Sequence, residues 1–92
     1  MALFRFKPEF STDQRQQWIE IIRDLPQHIP GIVAMSIGED IVHGPSSYDV
    51  ALVADFATLK DLQTYSTHPK HQVVLDISGP VKEHLAVADF EW

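Results

Sequence analysis

Apolar and charged residues alternate from the start of the chain. Ala2, Phe4 and Phe6 fall on one side of an extended segment, Arg5 and Lys7 on the other. A period of two marks a half-buried strand, and the pattern predicts one over residues 2–7, closed by Pro8. Ser11 then offers a helix N-cap, with Gln14 three residues on completing a capping-box pattern. Trp18, Ile21, Ile22 and Leu25 follow at the spacing of one apolar helical stripe. Pro26 and the segment Ile29-Pro30-Gly31 are expected to end this helix. Residues 32–38 read as a strand with Ile32, Ala34 and Ser36 on one face and Val33, Met35 and Ile37 on the other. After a loop marked by Gly44-Pro45-Ser46-Ser47, a strand is expected over 48–56. In it Tyr48, Val50, Leu52, Ala54 and Phe56 alternate with Asp49, Ala51, Val53 and Asp55. Thr58 caps a second helix through Leu59, Leu62 and Tyr65. Pro69 interrupts that helix, since the residue before a proline avoids helical ψ, and opens a third. Val74, Leu75 and Ile77 anchor the third helix, Gly79-Pro80 stops it, and residues 83–91 are read as the last strand.

The order is β-α-β-β-α-β with the second helix broken in two, an α+β, ferredoxin-like arrangement with an antiparallel sheet. Its crossover helices cover one sheet face and leave the other bare. That bare face does not read as polar: Leu85 and Val87 lie on one side of the last strand, and Ala86, Ala88, Phe90 and Trp92 on the other. A second copy of the same surface is the simplest cover. The expectation is a homodimer with two sheets packed face to face, a dimeric α/β barrel.

Composition narrows the classes. A chain of 92 residues makes one domain, residues 1–92, and buries only about 60% of the surface its unfolded chain exposes. There are no cysteines, so disulfides and thiolate metal sites are excluded. The net charge is −6 and only seven Lys and Arg are scattered through the sequence. Neither nucleic acid nor an anionic membrane is an expected partner. No apolar run approaches a bilayer span, and the first residues lack the apolar core of a secretory signal. Cytoplasmic localisation is expected.

The same residues carry a resemblance. Phe4-Arg5-Phe6-Lys7-Pro8, Leu25-Pro26, Ile29-Pro30-Gly31-Ile32 and Tyr48-Asp49-Val50-Ala51-Leu52-Val53 contribute to it. So do Tyr65 with His68-Pro69-Lys70-His71, and Val87-Ala88-Asp89-Phe90. Over nearly its whole length the chain resembles the stress-responsive dimeric α/β-barrel family, Dabb. The Tyr-x-x-His-Pro-x-His segment ahead of a Val-x-Asp-Phe strand is the most specific part. The resemblance implies the ferredoxin-like fold and the homodimeric barrel. It also implies a reaction known from a plant relative, a polyketide cyclase that closes an aromatic ring without a cofactor. The tyrosine and histidine that relative uses match Tyr65 and His71. Its further histidine, at the start of the first strand, has no counterpart at Met1 or Ala2. A pocket built on two histidines therefore lacks one of them.

The candidate catalytic residues are thus His71, a base whose ordinary pKa of about 6.5 suits neutral pH, and Tyr65, which would hydrogen-bond a carbonyl or enolate oxygen. The competing reading makes both of them packing residues. His68 is expected to cap the helix that follows it. The alternative, a metal pair with His71, has no third ligand in view, so neither a metal nor any other cofactor is expected. His28, His43 and His84 read as surface or rim positions, Asp49 and Asp55 as solvated, Asp89 as an inter-strand or subunit contact, and Trp18 as core. Three functions remain open: a protein binding a small hydrophobic ligand with cofactor-free proton-transfer chemistry, a non-catalytic stress or binding protein, and a cofactor-free monooxygenase.

Overall fold

The computed structural model describes residues 1–90. Among the described residues four strands and three helices follow one another: β1 (Ala2–Phe6), α1 (Thr12–His28), β2 (Ile32–Glu39), β3 (Val50–Phe56), α2 (Leu59–Thr67), α3 (Pro69–Ser78) and, after a 3₁₀ turn at Gly79–Val81, β4 (Lys82–Val87). The strands form one sheet in the order β2-β3-β1-β4 with every neighbouring pair antiparallel. This is the expected ferredoxin-like topology.

Local chemistry sets the ends of α1. The Ser11 hydroxyl accepts from Gln14 N at 3.2 Å, and the Gln14 side chain accepts from Ser11 N at 3.0 Å. A cap of this kind contributes about 1 kcal/mol. At the other end, the expectation that Pro26 stops the helix needs correcting. α1 runs through Pro26 to His28, and Ile29 N still donates to Leu25 O at 2.9 Å. In the last turn a proline removes one backbone bond, and the buried Leu25 and Ile29 on either side hold the turn closed. The buried stripe is also wider than its spacing implied. Ile19 is as buried as Trp18, Ile22 and Leu25, while Ile21 is only partly covered. α1 packs against α3 as well as the sheet, so more than one stripe is buried.

The core is aromatic at its centre. Trp18 is fully buried, edge-on to Phe4 at 5.0 Å and Phe6 at 5.2 Å, and its indole N–H donates to Val74 O at 3.2 Å. That bond ties α1 to α3 and satisfies the one polar atom that the ring buries.

Three strand expectations change. In β2, Ile32 faces Phe56 but Ala34 faces Asp55, so Val33 is an extra residue bulged out of the ladder. The bulge resets the alternation: Ile32, Met35 and Ile37 pack together on the core, and Val33 stays 68% exposed. Strict period two had separated Ile32 from Met35 and Ile37. β3 starts at Val50 rather than at Tyr48, which lies ahead of the strand against Arg5 and His84. β4 ends at Val87 rather than 91. Beyond it Ala88 still pairs with Met1 in both directions, 3.1 and 3.0 Å. Trp92, expected on the outer face, lies outside the described residues.

The face away from the helices carries Ala34, Ser36 and Gly38 of β2, Ala51 and Val53 of β3, Leu3 of β1 and Ala86 of β4. It is small and apolar at its middle. Leu3, Gly38, Ala51 and Tyr48 border a shallow hollow there of about 130 Å³.

Candidate functional site

The site is built at the break between α2 and α3. Thr58 Oγ1 accepts from Asp61 N at 3.1 Å and so starts α2. Phe56 and Tyr65, at the end of β3 and in α2, bring their rings to 5.2 Å. α2 cannot continue past Thr67, because Pro69 has no N–H and holds His68 extended, at φ −67° and ψ 139°. His68 N closes the last turn on Tyr65 O at 3.2 Å, and Gln72 N opens α3 on His68 O at 3.0 Å. The change of direction brings the His71 ring back over Tyr65. Their centroids lie 4.3 Å apart with planes tilted by 41°. The two residues singled out in the sequence are thus neighbours in the fold.

Their surroundings tune both. Tyr65 is 7% exposed, and burial pushes its phenol up to about 12, so it stays a neutral hydrogen-bond donor. His71 is half-buried. Desolvation holds its imidazolium form below the ordinary histidine range, outweighing the Ser66 carbonyl, which favours the charged form. The His71 Nδ1 atom lies 3.1 Å from Ser66 O. A carbonyl only accepts, so Nδ1 carries the proton in the neutral ring and Nε2 carries the lone pair. Nε2 has no hydrogen-bond partner among the described residues. The pair therefore presents a neutral base beside a neutral acid, the protonation states that proton transfer near neutral pH requires. The Ser66 carbonyl was not anticipated from the sequence, because a backbone acceptor leaves no side-chain signature.

The remaining candidates separate cleanly. His68 caps α3 as expected, its Nδ1 accepting from Lys70 N at 3.1 Å. Among the described residues no three His, Cys, Asp or Glu side chains gather as a metal site would need. His28 pairs with Asp24 at 2.9 Å on the surface of α1. His43 sits in the β2–β3 loop at φ 55°, its N–H bonded to Asp40 Oδ2 at 2.7 Å. Asp89 lies 3.5 Å from the Met1 ammonium, an inter-strand contact. Asp49 corrects the reading of a solvated carboxylate. Its Oδ2 accepts from Phe6 N at 2.8 Å, its own N–H donates to Phe4 O at 2.7 Å, and its carbonyl accepts from Asp40 N at 2.8 Å. It ties β1 to the start of β3 where the ladder has ended. Tyr48 lies under the Arg5 guanidinium at 4.6 Å and beside His84 at 5.8 Å. A second shallow hollow, of about 190 Å³, lies between α1 and α3, against Leu25 and Val73. Neither hollow is lined by Tyr65 or His71.

The model of the stress responsive A/B barrel domain matches residues 1–92. The chain belongs to the Dabb family. Solved structures agree with its fold. A dimeric ferredoxin-like protein of unknown function from Thermobifida fusca is 32% identical, with 92% of this chain and 80% of that one covered and a TM-score of 0.83. A dimeric protein of unknown function and ferredoxin-like fold from Bacteroides fragilis is 27% identical over 99% of this chain and 91% of that one, with a TM-score of 0.82. The hydroxynitrile lyase of Passiflora edulis shares the fold at 20% identity, over 95% of this Dabb chain and 84% of its own, with a TM-score of 0.80. No curated protein matches the chain in sequence. No helix among the described residues is long and apolar enough to cross a membrane.

Proposed function

We propose that this Dabb domain is a cytoplasmic homodimer that binds a small hydrophobic carbonyl compound and moves protons on it without a cofactor. The observation that carries the reading is the contact between Tyr65 and His71, with the phenol kept protonated and the imidazole kept neutral with Nε2 unengaged. His71 Nε2 takes a proton from the carbon beside a carbonyl, and the Tyr65 hydroxyl donates to the enolate oxygen as charge collects there. In an aldol-type ring closure the enolate carbon then bonds to a second carbonyl carbon of the same molecule. The resulting alkoxide recovers the proton from His71. Polyketide-cyclase-like chemistry of this kind consumes no redox equivalent. The dimer part of the reading rests on the uncovered apolar sheet face and on relatives described as dimeric.

The test is deuterium exchange at the central carbon of a medium-chain aliphatic 1,3-diketone in D₂O, followed by NMR. The wild-type protein should accelerate the exchange, and His71→Ala should reduce that acceleration by about 10²-fold or more, the usual contribution of a positioned base. Tyr65→Phe should reduce it less. Equal rates with His71→Ala would refute the assignment.

A second reading is favoured by the position of the two hollows, neither of which reaches Tyr65 or His71. In it the domain is a non-catalytic binding protein whose dimer is the working unit. It predicts no exchange by the wild type and no loss of function on replacing His71.

A further inference from the structure

Two hydrogen bonds organise the break between the helix fragments, one capping α3 and one reaching from α3 back to α2. At the end of α2 the carbonyl of Ser66 is one of the last acceptors of a helix and has no partner within it. In an unbroken helix its donor would be Lys70 N, four residues on. Here Lys70 N donates instead to His68 Nδ1, at 3.1 Å. The Ser66 carbonyl is left for His71, whose Nδ1 reaches it at 3.1 Å across the break. His68 is the N-cap of α3, Pro69 and Lys70 are its first two helical residues, and His71 is the third. His68 therefore holds the backbone of the turn that carries His71, while His71 reaches back to the turn before it.

We propose that His68 is the positioning residue for His71: by capping α3 on Lys70 N it keeps the His71 ring against the Ser66 carbonyl, and so selects the tautomer with the proton on Nδ1 and the lone pair on Nε2. The free imidazole of a histidine side chain prefers the opposite tautomer, with the proton on Nε2. The Ser66 bond must overcome that preference, and it does so only while the first turn of α3 is held in register with the end of α2. Without the cap, Lys70 N loses its acceptor and the turn is free to move away from Ser66. The functional consequence rests on the proton-transfer reading above, since it is there that the Nε2 lone pair is needed. The tautomer itself can be read without any substrate.

The experiment is ¹⁵N NMR of the histidine rings in the wild type, His68→Ala and His68→Asn, at a pH where His71 is neutral. In the wild type the His71 ring should show a protonated, pyrrole-type Nδ1 and a pyridine-type Nε2. His68→Ala should move both resonances toward the reversed assignment. His68→Asn should restore the wild-type pattern, because an asparagine at an N-cap supplies an acceptor to the same N–H. An unchanged His71 pattern in His68→Ala overturns the proposal. So does a reversed pattern that asparagine fails to restore, since the cap would then not be the cause. If the alanine variant does not fold, His68→Gln takes its place, being too long to cap well, and the comparison with asparagine decides in the same way. Failure of diketone exchange in the wild type would remove the chemistry while leaving the tautomer result standing, so the two readings fail separately.

Discussion

At the scale of single residues, Tyr65 carries a signature that can be measured in the folding equilibrium. Its phenol titrates at the ordinary value of 10.0 in the unfolded chain and at about 12 in the fold. Below pH 10 both states keep the proton and the contribution to stability is fully present. Between pH 10 and 12 the unfolded chain releases the proton and the folded chain retains it, so stability falls as pH rises through that window. The loss is roughly 2 kcal/mol once partial solvent contact is allowed for. Urea unfolding at pH 9 and pH 11.5 should show a drop in the wild type that is larger than in Tyr65→Phe by about that amount. Comparing the two proteins cancels every contribution that both share. Tyr65 and His71 were singled out through the family resemblance of the Tyr-x-x-His-Pro-x-His segment, and the proline break between them is what folds one ring onto the other. The role of Asp49 was not legible. Its partner, Phe6 N, is 43 positions away, and nothing local distinguishes a carboxylate that locks two strands from one that faces water.

At the scale of elements, the passage from α1 to β2 depends on one glycine. Gly31 has φ +93°, and a side-chain carbon placed on it would lie 2.5 to 2.7 Å from the Cγ, Oδ1 and Cβ atoms of Asp61. Asp61 cannot swing away freely, since its carboxylate accepts from the Thr58 hydroxyl at 3.1 Å and its N–H is the one Thr58 caps. Gly31→Ala should therefore lower stability by about 2 kcal/mol, combining backbone strain with a local clash. Gly79 is the contrasting case. It has open space where a Cβ would go, but it is helical, at φ −51° and ψ −53°, directly before Pro80, where the proline ring disfavours helical backbone for a residue with a Cβ. Gly79→Ala should therefore cost less than Gly31→Ala, about 0.5 to 1 kcal/mol. Denaturant midpoints of the two variants would check both, and an equal effect at the two sites would disprove the argument. Element types and their order were readable from periodicity, caps and prolines. What periodicity missed was where tertiary contact overrides it: the bulge at Val33 that shifts the phase of β2, the turn of α1 that survives Pro26, and Ile19, buried because α1 meets a helix as well as the sheet. Each depends on a neighbour distant in sequence.

At the scale of the whole molecule, the sheet has two faces and the chain has helices for one. On the open face Ala51 occupies the middle, opposite Leu3 on β1 and Gly38 on β2, while Val53 beside it is 43% exposed. These side chains are small, so a flat surface can approach closely. Charged and polar groups surround this centre: Arg5 with Tyr48 and His84 to one side, Glu39 and Asp40 at the rim of the hollow, and Asp55 opposite Ala34. Pairing of such a patch about a two-fold axis would set each Ala51 against its counterpart or its neighbours. In a chain that carries a charge of −6, association concentrates its apolar contact where charge is sparsest, and the Leu3, Gly38 and Ala51 centre of this face carries none. Ala51→Glu puts a carboxylate there. In a single chain the new side chain stands in solvent and the fold is little disturbed. In a face-to-face dimer two carboxylates are buried without partners, at a cost of several kcal/mol each. Sedimentation at micromolar concentration should therefore give twice 10.4 kDa, or 20.8 kDa, for the wild type and 10.4 kDa for Ala51→Glu, with unchanged circular dichroism. A wild-type monomer would remove the dimer from the proposed function. A variant that still sediments as a dimer would place the interface elsewhere, and the apolar centre of the open face would then need another explanation.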